Sequence, residues 1–301
     1  MTNDKTAYRR RRSWREARRA YIILIPFFAY IALWNLYPLL YGLYLGLTEY
    51  TALGHKPVWV GLKNFRTFFA TADYLKLLYQ QIRLGVVVLL AGITISFIFA
   101  LLLNVKNRLR GIFRVFVYIP SVAAITATTA VFNALITPMP DEGVNKLLKL
   151  LGRQPVVWNY SEFWMYFWIV VYSVWRGIGP TVLIWLGGLQ AIDVSLYEAA
   201  RVDGAGFWQQ VRFITIPGLR FVSLYILLTG IIGAMQMFDV VMFISQGGPF
   251  GTTDVLMYRI YRDGIVNFNL GMAGAESFIL GVFTVLIALV YLWVQQRRVE
   301  D

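Results

Sequence analysis

Polar side chains inside long apolar stretches are the residues whose chemistry most needs an explanation. Arg176, Gln236 and Asp239 each lie within stretches that otherwise carry few charges. A charged side chain at the centre of a membrane costs about 3 kcal/mol or more, so such residues usually have a function there. A guanidinium, an amide and a carboxylate together offer donors and acceptors for a polar solute. Alternatively, Arg176 and Asp239 form an ion pair that only holds two helices together.

Other kinds of chemistry are excluded or disfavoured by the composition. The 301 residues include no cysteine, which excludes thiolate zinc sites and cysteine nucleophiles. The single histidine, His55, lies in a polar stretch, so a histidine metal site or a Ser/His/Asp triad in a membrane pocket is not expected. No Gly-Lys dipeptide occurs, hence no Walker A loop. If ATP drives this protein, another subunit hydrolyses it.

The elements that position these residues are membrane helices. Hydrophobic residues make up 58% of the chain and charged residues 15%, against about a quarter charged in soluble domains. A helix needs about 20 mostly apolar residues to cross a membrane. Six stretches meet this requirement and predict an all-α polytopic membrane protein with six transmembrane helices: residues 21–47, 82–104, 112–136, 163–190, 219–245 and 272–295.

The basic residues predict the orientation of these helices. The net charge is +12, and 17 Lys and Arg residues fall on the side of both termini and the 191–218 loop, against 10 on the other side. The positive-inside rule therefore predicts that the termini and this loop are cytoplasmic. The run from Arg9 to Arg12 favours anionic membrane lipid as its partner, and nucleic acid is not expected.

The loop between the fourth and fifth spans has the pattern of a helical hairpin. Ser195 and Glu198 have the spacing of a capping box that starts a helix, and Gly204 supplies a left-handed residue that ends it. A second short helix is predicted over 206–213. The hairpin exposes apolar residues, which favours a partner surface. Alternatively, the hairpin folds back on the ends of the chain's own spans.

This loop resembles the EAA loop of ABC importer permeases. The matching pattern is Glu198-Ala199-Ala200, Gly204, Ile214 and Ile216-Pro217, with Ile216 where leucine is usual. Leu189-Gln190-Ala191-Ile192, Gly247-Gly248-Pro249 and Gly61-Leu62-Lys63-Asn64-Phe65 also resemble the carbohydrate permeases of the maltose and glycerol-phosphate type. The resemblance covers residues 21–298, and it departs from the family pattern at Gln81-Ile82-Arg83 and Arg220-Phe221.

The resemblance implies a type I ABC importer permease fold and a set of partners. It divides the chain into a cytoplasmic tail (1–20), a first span with an external loop (21–80), a core transmembrane domain (81–296) and a C-terminal tail (297–301). The expected partners are a second permease subunit, two cytoplasmic ATPase subunits that bind ATP and Mg, an extracytoplasmic solute-binding protein and a sugar. No cofactor is expected in this chain.

The resemblance also assigns residues to two sites. Coupling to the ATPase falls to Glu198, Ala199, Ala200, Asp203 and Gly204, although both acids could serve only local capping. The substrate pathway falls to Ser173, Trp175, Arg176, Gly177, Gln236 and Asp239. The expected cargo is a di- or oligosaccharide. Alternatives are an acidic sugar, a polyol or a glycerol-phosphate solute in the same importer class, or an ion-coupled secondary transporter.

Overall fold

The computed structural model describes residues 21–51, 56–105 and 108–300, with side chains up to residue 295. The predicted N-terminal tail (1–20), His55 and Asp301 lie outside the described residues. Within them the chain is mostly helical. The helices in chain order are α1 (Tyr21–Gly46), α2 (Lys63–Ala70), α3 (Ala72–Asn104), α4 (Arg110–Val122), α5 (Ile125–Leu135), α6 (Gly143–Leu150), α7 (Glu162–Ala191), α8 (Val194–Val202), α9 (Phe207–Gly218), α10 (Arg220–Met235), α11 (Leu256–Tyr261) and α12 (Leu270–Glu300).

Shorter elements complete the described fold. Two-residue strands β1 (Thr48–Glu49) and β2 (Val58–Trp59) pair antiparallel, with Thr48 opposite Trp59. A 3₁₀ turn covers Trp158–Tyr160. Single π-helical turns, with hydrogen bonds from residue i+5 to residue i, lie within α1 (Ala32–Leu36) and α9 (Val211–Thr215). Two more follow α10 (Val241–Ser245) and α11 (Arg262–Val266).

The prediction of an all-α polytopic membrane protein is confirmed, but two of the predicted spans are not continuous. Among the described residues, α1, α3, α7 and α12 are each long and apolar enough to cross a membrane, and the number rises to six if each bent pair counts as one span. The pair α4–α5 is bent by 95° and the pair α9–α10 by 70°. The predicted helix over 112–136 is therefore two helices, and the one predicted over 219–245 ends at Met235.

The break between α4 and α5 has a local cause. Pro120 lies two residues before the end of α4 and lacks the N–H that would donate to the preceding turn of the helix. Ala123 and Ala124 then leave the helical region, with ψ angles of 146° and 131°. The carbonyl groups of this turn consequently have no helical donor, and they need another partner if they are buried.

Glycine permits a close approach of α4 to α7. A Cβ atom added to Gly179 would lie 2.8 Å from both the Cα atom of Tyr118 and the carbonyl oxygen of Val117. Real side-chain carbons do not approach backbone atoms that closely, so only glycine fits here. The two helices therefore touch backbone to backbone just before the break.

The chain divides into two compact units. The larger unit runs from Phe68 to Arg262 and takes in the last helix from Ile279 onward. It contains two hydrophobic clusters, both built around α7 and α3. The first comprises Leu84, Phe132, Met165, Ile169, Tyr172, Val240, Val241 and Val255, and the second Ala100, Ile178, Val182, Trp185, Leu186, Leu189, Leu219 and Ile226.

The smaller unit joins the first helix to the start of the last one and includes residues 263–278. The contact is made by glycines: a Cβ atom on Gly274 would lie 2.6 Å from the carbonyl oxygen of Gly42 and 2.8 Å from the amide nitrogen of Gly46. Small residues allow membrane helices to pack this closely. The most apolar stretch of α1, by contrast, has no buried residue in the described chain.

Candidate functional site

A cavity of about 330 Å³ lies beside the break between α4 and α5, where α7 and the segment after α10 also meet. A second cavity of about 340 Å³ shares Ser173, Gly177 and Met237 with it. The two therefore adjoin. The first, called the Arg176 cavity below, is lined by Ser121, Ile125, Tyr172, Ser173, Arg176, Gly177, Pro180, Met237, Phe238, Asp239 and Val240.

Arg176 lies half-way along α7 and reaches across to the break. Its Nη1 donates a 2.8 Å hydrogen bond to the carbonyl oxygen of Ala123 and a 3.5 Å bond to that of Pro120. The guanidinium thus supplies the donor that the interrupted helix lacks. Because a guanidinium carries five N–H groups, this arrangement leaves donors for a molecule in the cavity.

Asp239 lines the same cavity from the segment that follows α10. Its side chain is exposed. Among the described residues, the ion pairs join other partners, and none links Arg176 to Asp239. The alternative of a mutual Arg176–Asp239 pair is therefore not what the structure contains. The cavity instead presents one cation and one anion separately.

The remaining residues assigned to the pathway divide into two groups. Ser173 and Gly177 line both cavities. Trp175 lies outside them: it is 40% exposed and its ring packs 5.3 Å from that of Phe132. Gln236 is the C-cap residue that follows α10; it is exposed and lines neither cavity. The structure thus brings four of the six predicted residues together: Ser173, Arg176, Gly177 and Asp239.

Sequence reasoning did not single out several residues of this site. Tyr172 is buried in the first hydrophobic cluster, and its hydroxyl lies 2.9 Å from the Oγ1 of Thr128. Ser121 and Phe238 also line the cavity. The only sequence signal for the break was Pro120, and proline is common enough in membrane helices to be overlooked.

The hairpin at residues 193–218 begins with a different cap from the one predicted. The N-cap of α8 is Asp193, whose carboxylate accepts a 2.9 Å hydrogen bond from the amide of Ser195. The predicted capping box of Ser195 and Glu198 is therefore wrong by two residues. Hydrogen bonds from the backbone and side chain of Ser195 lower the pKa of Asp193, since they favour its charged form.

The end of α8 agrees with the prediction. Gly204 has a φ of +79°. The amide of Ala205 donates to the carbonyl of Ala200 at 2.8 Å and the amide of Gly204 to that of Arg201 at 3.1 Å. This is the pair of bonds of a Schellman motif, which ends a helix at a left-handed residue. The second helix is longer than predicted and continues through Pro217 to Gly218.

Most of the hairpin surface faces outward. No residue of α8 is buried, Glu198, Ala199, Asp203 and Gly204 are exposed, and Ala200 is half-buried. Its side-chain link to α9 is a 3.0 Å contact between the Tyr197 hydroxyl and the Thr215 Oγ1. Val202 and Trp208 are 88% and 75% exposed. Within the described chain, therefore, the apolar residues of α8 and of the start of α9 do not fold back on its own spans, whereas Val211 in α9 is buried.

The loop after α10 is fixed by side chains from α3 and α7. Gln80 donates to the carbonyls of Gly251 and Thr252 at 3.1 and 3.0 Å, and the Tyr166 hydroxyl donates to that of Thr252 at 3.1 Å. Arg262 pairs with Asp254. Burial nevertheless raises the pKa of Asp254, because the pair only partly offsets the loss of water around the carboxyl group.

The sequence profile of one protein family matches residues 89–300, which include the Arg176 cavity and the whole hairpin. That family is the binding-protein-dependent transport system inner membrane component. This chain belongs to it. The permease is therefore a multi-pass membrane component of a transport system, as the resemblance implied.

Curated relatives of the permease agree with this assignment. The lactose transport system permease protein LacF of Rhizobium radiobacter is 32% identical over 247 residues, which cover 80% of this chain and 82% of the relative. The trehalose/maltose transport system permease protein MalF of Thermococcus litoralis is 29% identical over 99% of both chains. The sn-glycerol-3-phosphate permease UgpA of Pectobacterium atrosepticum is 26% identical over 100% and 99%.

The fold of the permease is also that of solved importers. A chain of a bacterial ABC transporter involved in the import of the acidic polysaccharide alginate superposes with a TM-score of 0.84 at 23% identity, covering 95% of this permease and 99% of that chain. A second structure of an alginate transporter, in complex with an alginate pentasaccharide-bound periplasmic protein, gives 0.80 at 23% identity, covering 94% and 95%. The predicted type I importer permease fold is confirmed.

Proposed function

We propose that the permease is the membrane-spanning subunit of an ATP-driven, solute-binding-protein-dependent importer that moves a di- or oligosaccharide into the cytoplasm. The observation that carries the proposal is the Arg176 cavity, in which Arg176 and Asp239 face the same space without pairing. The names of the lactose and trehalose/maltose relatives support a sugar as the cargo. The sugar would enter from the solute-binding protein on the outer side.

The charges of the cavity favour a neutral cargo. Arg176 already donates to the break carbonyls, and the Asp239 carboxylate would repel an anionic solute. A neutral sugar accepts from the guanidinium and donates to the carboxylate with little electrostatic cost. Each of the two adjoining cavities falls in the size range of about 300–1,000 Å³ that small-molecule sites occupy. An acidic sugar or a glycerol-phosphate solute fits this arrangement less well.

The hairpin at residues 193–218 is the proposed contact with the ATPase. A short helix that is capped at both ends transmits motion as a rigid body, and its exposed apolar residues suit a partner surface. Two cytoplasmic ATPase subunits would bind ATP and Mg. Glu198, Ala199, Ala200, Asp203 and Gly204 would form the coupling element, and a second permease chain would complete the pathway.

The proposed orientation follows the distribution of basic residues. Because 17 Lys and Arg residues lie on the side of the termini and the hairpin and 10 on the other, both termini and the hairpin are placed in the cytoplasm. The loop after α10 then faces the solute-binding protein. A single cysteine at residue 200 in this cysteine-free chain is expected to crosslink to the ATPase subunit, and an equivalent cysteine at residue 250 is not.

Uptake by the complete importer tests the proposal. The permease, its partner permease, the ATPase and the solute-binding protein are reconstituted in proteoliposomes and supplied with lactose, maltose, trehalose or glycerol 3-phosphate. We expect ATP-dependent uptake of at least one of the disaccharides and none of glycerol 3-phosphate. Uptake that follows a proton or sodium gradient without ATP would identify a secondary transporter instead. Uptake of glycerol 3-phosphate alone would refute the neutral cargo.

A further inference from the structure

A groove separate from the Arg176 cavity runs between α3, α4 and α7. Its volume is about 560 Å³, every lining residue is apolar, and it shares no lining residue with the Arg176 cavity. Phe113, Phe116 and Pro120 line it from α4, while Val171 and Trp175 line it from α7. The position of Trp175 outside the substrate cavity is thereby explained: its indole forms part of this apolar wall.

The groove is long enough for a hydrocarbon chain. Its lining residues on α7 run from Phe167 to Ile178, a length of about 16 Å at 1.5 Å per residue. This length and the apolar lining suit an extended acyl chain.

One end of the groove is basic. Arg110 begins α4 and precedes Phe113 by three residues and Val117 by seven, so it lies on the groove side of that helix. Arg114 follows one turn later, and its Nε is buried without a partner among the described residues. Arg108 is exposed just before the helix. No Asp or Glu occurs in the sequence between Asp73 and Asp141, so this charge is not neutralised locally by α3 or α4.

We propose that this groove is a binding site for an anionic phospholipid. One acyl chain occupies the apolar groove, and the phosphate lies against Arg110 and Arg114 at its end. Charge complementarity selects the head group, because basic residues at a membrane surface attract anionic lipid. Chain length and apolar lining select the tail. The proposal does not depend on which solute the importer carries.

The bound lipid acts on the substrate cavity through Pro120. This residue forms part of the groove wall, while its carbonyl oxygen and that of Ala123 accept hydrogen bonds from Arg176. An acyl chain packed against Pro120 therefore supports the helix break that holds the guanidinium. Lipid binding and the position of Arg176 are linked by a single turn of backbone.

Native mass spectrometry of the full-length permease in its complex tests the site. The complex is equilibrated with an equal mixture of dioleoylphosphatidylglycerol and dioleoylphosphatidylcholine and transferred to detergent, and the masses of the lipid-bound species are measured. We expect preferential retention of the phosphatidylglycerol. In the double variant R110Q/R114Q this preference should fall by up to about 30-fold, since each arginine near the surface contributes about fivefold. The control R153Q removes one exposed arginine elsewhere and should keep the wild-type preference.

A second variant separates the groove from the head-group site. Val171→Trp fills the groove and should reduce retention of both lipids while leaving the arginines in place. Equal retention of the two lipids by the wild type, or an unchanged preference in R110Q/R114Q, would overturn the proposal. So would efficient crosslinking of the single-cysteine variant F116C to a second permease chain, because a protein helix would then occupy the groove.

Discussion

The guanidinium of Arg176 donates its shortest hydrogen bond to the backbone carbonyl oxygen of Ala123, 2.8 Å away across the break between α4 and α5, and makes no ion pair with Asp239 in the described chain. Arg176 therefore has two roles that can be separated. It satisfies the backbone of an interrupted membrane helix, and it offers further donors to the cavity. Asp239 lines the same cavity, where its carboxylate offers acceptors.

Replacement of Arg176 is expected to affect stability as well as uptake. In Arg176→Met the part-buried Ala123 carbonyl loses its donor, and the cost is at most the roughly 1–3 kcal/mol of a fully buried polar group. Arg176→Lys retains a charge but loses the planar fork, so it should recover only part of this stability. Thermal unfolding of the purified permease measures the change. Wild-type stability in Arg176→Met would show that the hydrogen bond is not needed at the break.

Replacement of Asp239 should instead affect uptake alone. Asp239→Asn keeps the size of an exposed side chain and removes a charged acceptor, so kcat/KM for the sugar should fall by about tenfold or more while the unfolding temperature stays unchanged. The double variant with Arg176→Met tests independence. Because the two residues are not paired, their effects on stability should add within about 0.5 kcal/mol. A coupling energy well above this value would instead indicate an ion pair between Arg176 and Asp239.

The Gly204 position should tolerate only residues that adopt a left-handed conformation. Its φ is +79°, and none of the residues that the structure describes lies within 4 Å of an added Cβ atom, so the constraint is the backbone and not space. We expect Gly204→Val to abolish transport and ATPase coupling while the protein still inserts, and Gly204→Asn to retain much of both. Gly206, with a φ of −72°, provides the matched control Gly206→Val. Normal coupled ATPase activity in Gly204→Val would refute the assignment of the hairpin as the contact with the ATPase.

The cap of α8 should depend on Asp193 and on its ionisation. Hydrogen bonds hold the pKa of Asp193 below its usual value, so its contribution to the helix is present above the unfolded-state pKa and is lost as the pH falls through the lowered folded-state pKa. Asp193→Ala should therefore speed amide hydrogen exchange at residues 195–197. Glu198→Gln serves as the comparison, because Glu198 is not the cap. Equal exchange in Asp193→Ala and wild type would contradict this assignment.

The glycine contact in the smaller unit should tolerate no larger side chain. Gly274→Leu places atoms where the backbone of Gly42 and Gly46 already lies, so α1 should separate from the start of α12. Gly281 on the same helix has open space around it, and Gly281→Leu is the control. Cysteines at Thr51 and Asn269, which pair in an isolated bridge, report the contact by disulfide formation. Unchanged crosslinking in Gly274→Leu would show that this contact is not close in the membrane.

The apolar stretches predicted the long helices, because hydrocarbon leaves few alternatives to a helix. They did not predict the breaks: Ala123 and Ala124 are as apolar as their neighbours, and the Ala123 carbonyl is satisfied by an arginine 53 residues away. Contacts of this kind do not appear in local sequence patterns. The end of α8 was predictable because Gly204 acts through its own backbone. Its start was placed two residues late, because Asp193 and Ser195 are equally good caps by type.

The close approach at Gly179 has a further consequence for the dimensions of the pathway. The spacing of α4 and α7 is fixed where the Cα hydrogen of this residue faces the backbone of Val117 and Tyr118, one turn from Arg176. A single methyl group there would force the helices apart and lengthen the bond from Arg176 to Ala123. The width of the pathway beside the break therefore depends on residue 179 having no side chain. Gly179→Ala changes this width without touching any polar group.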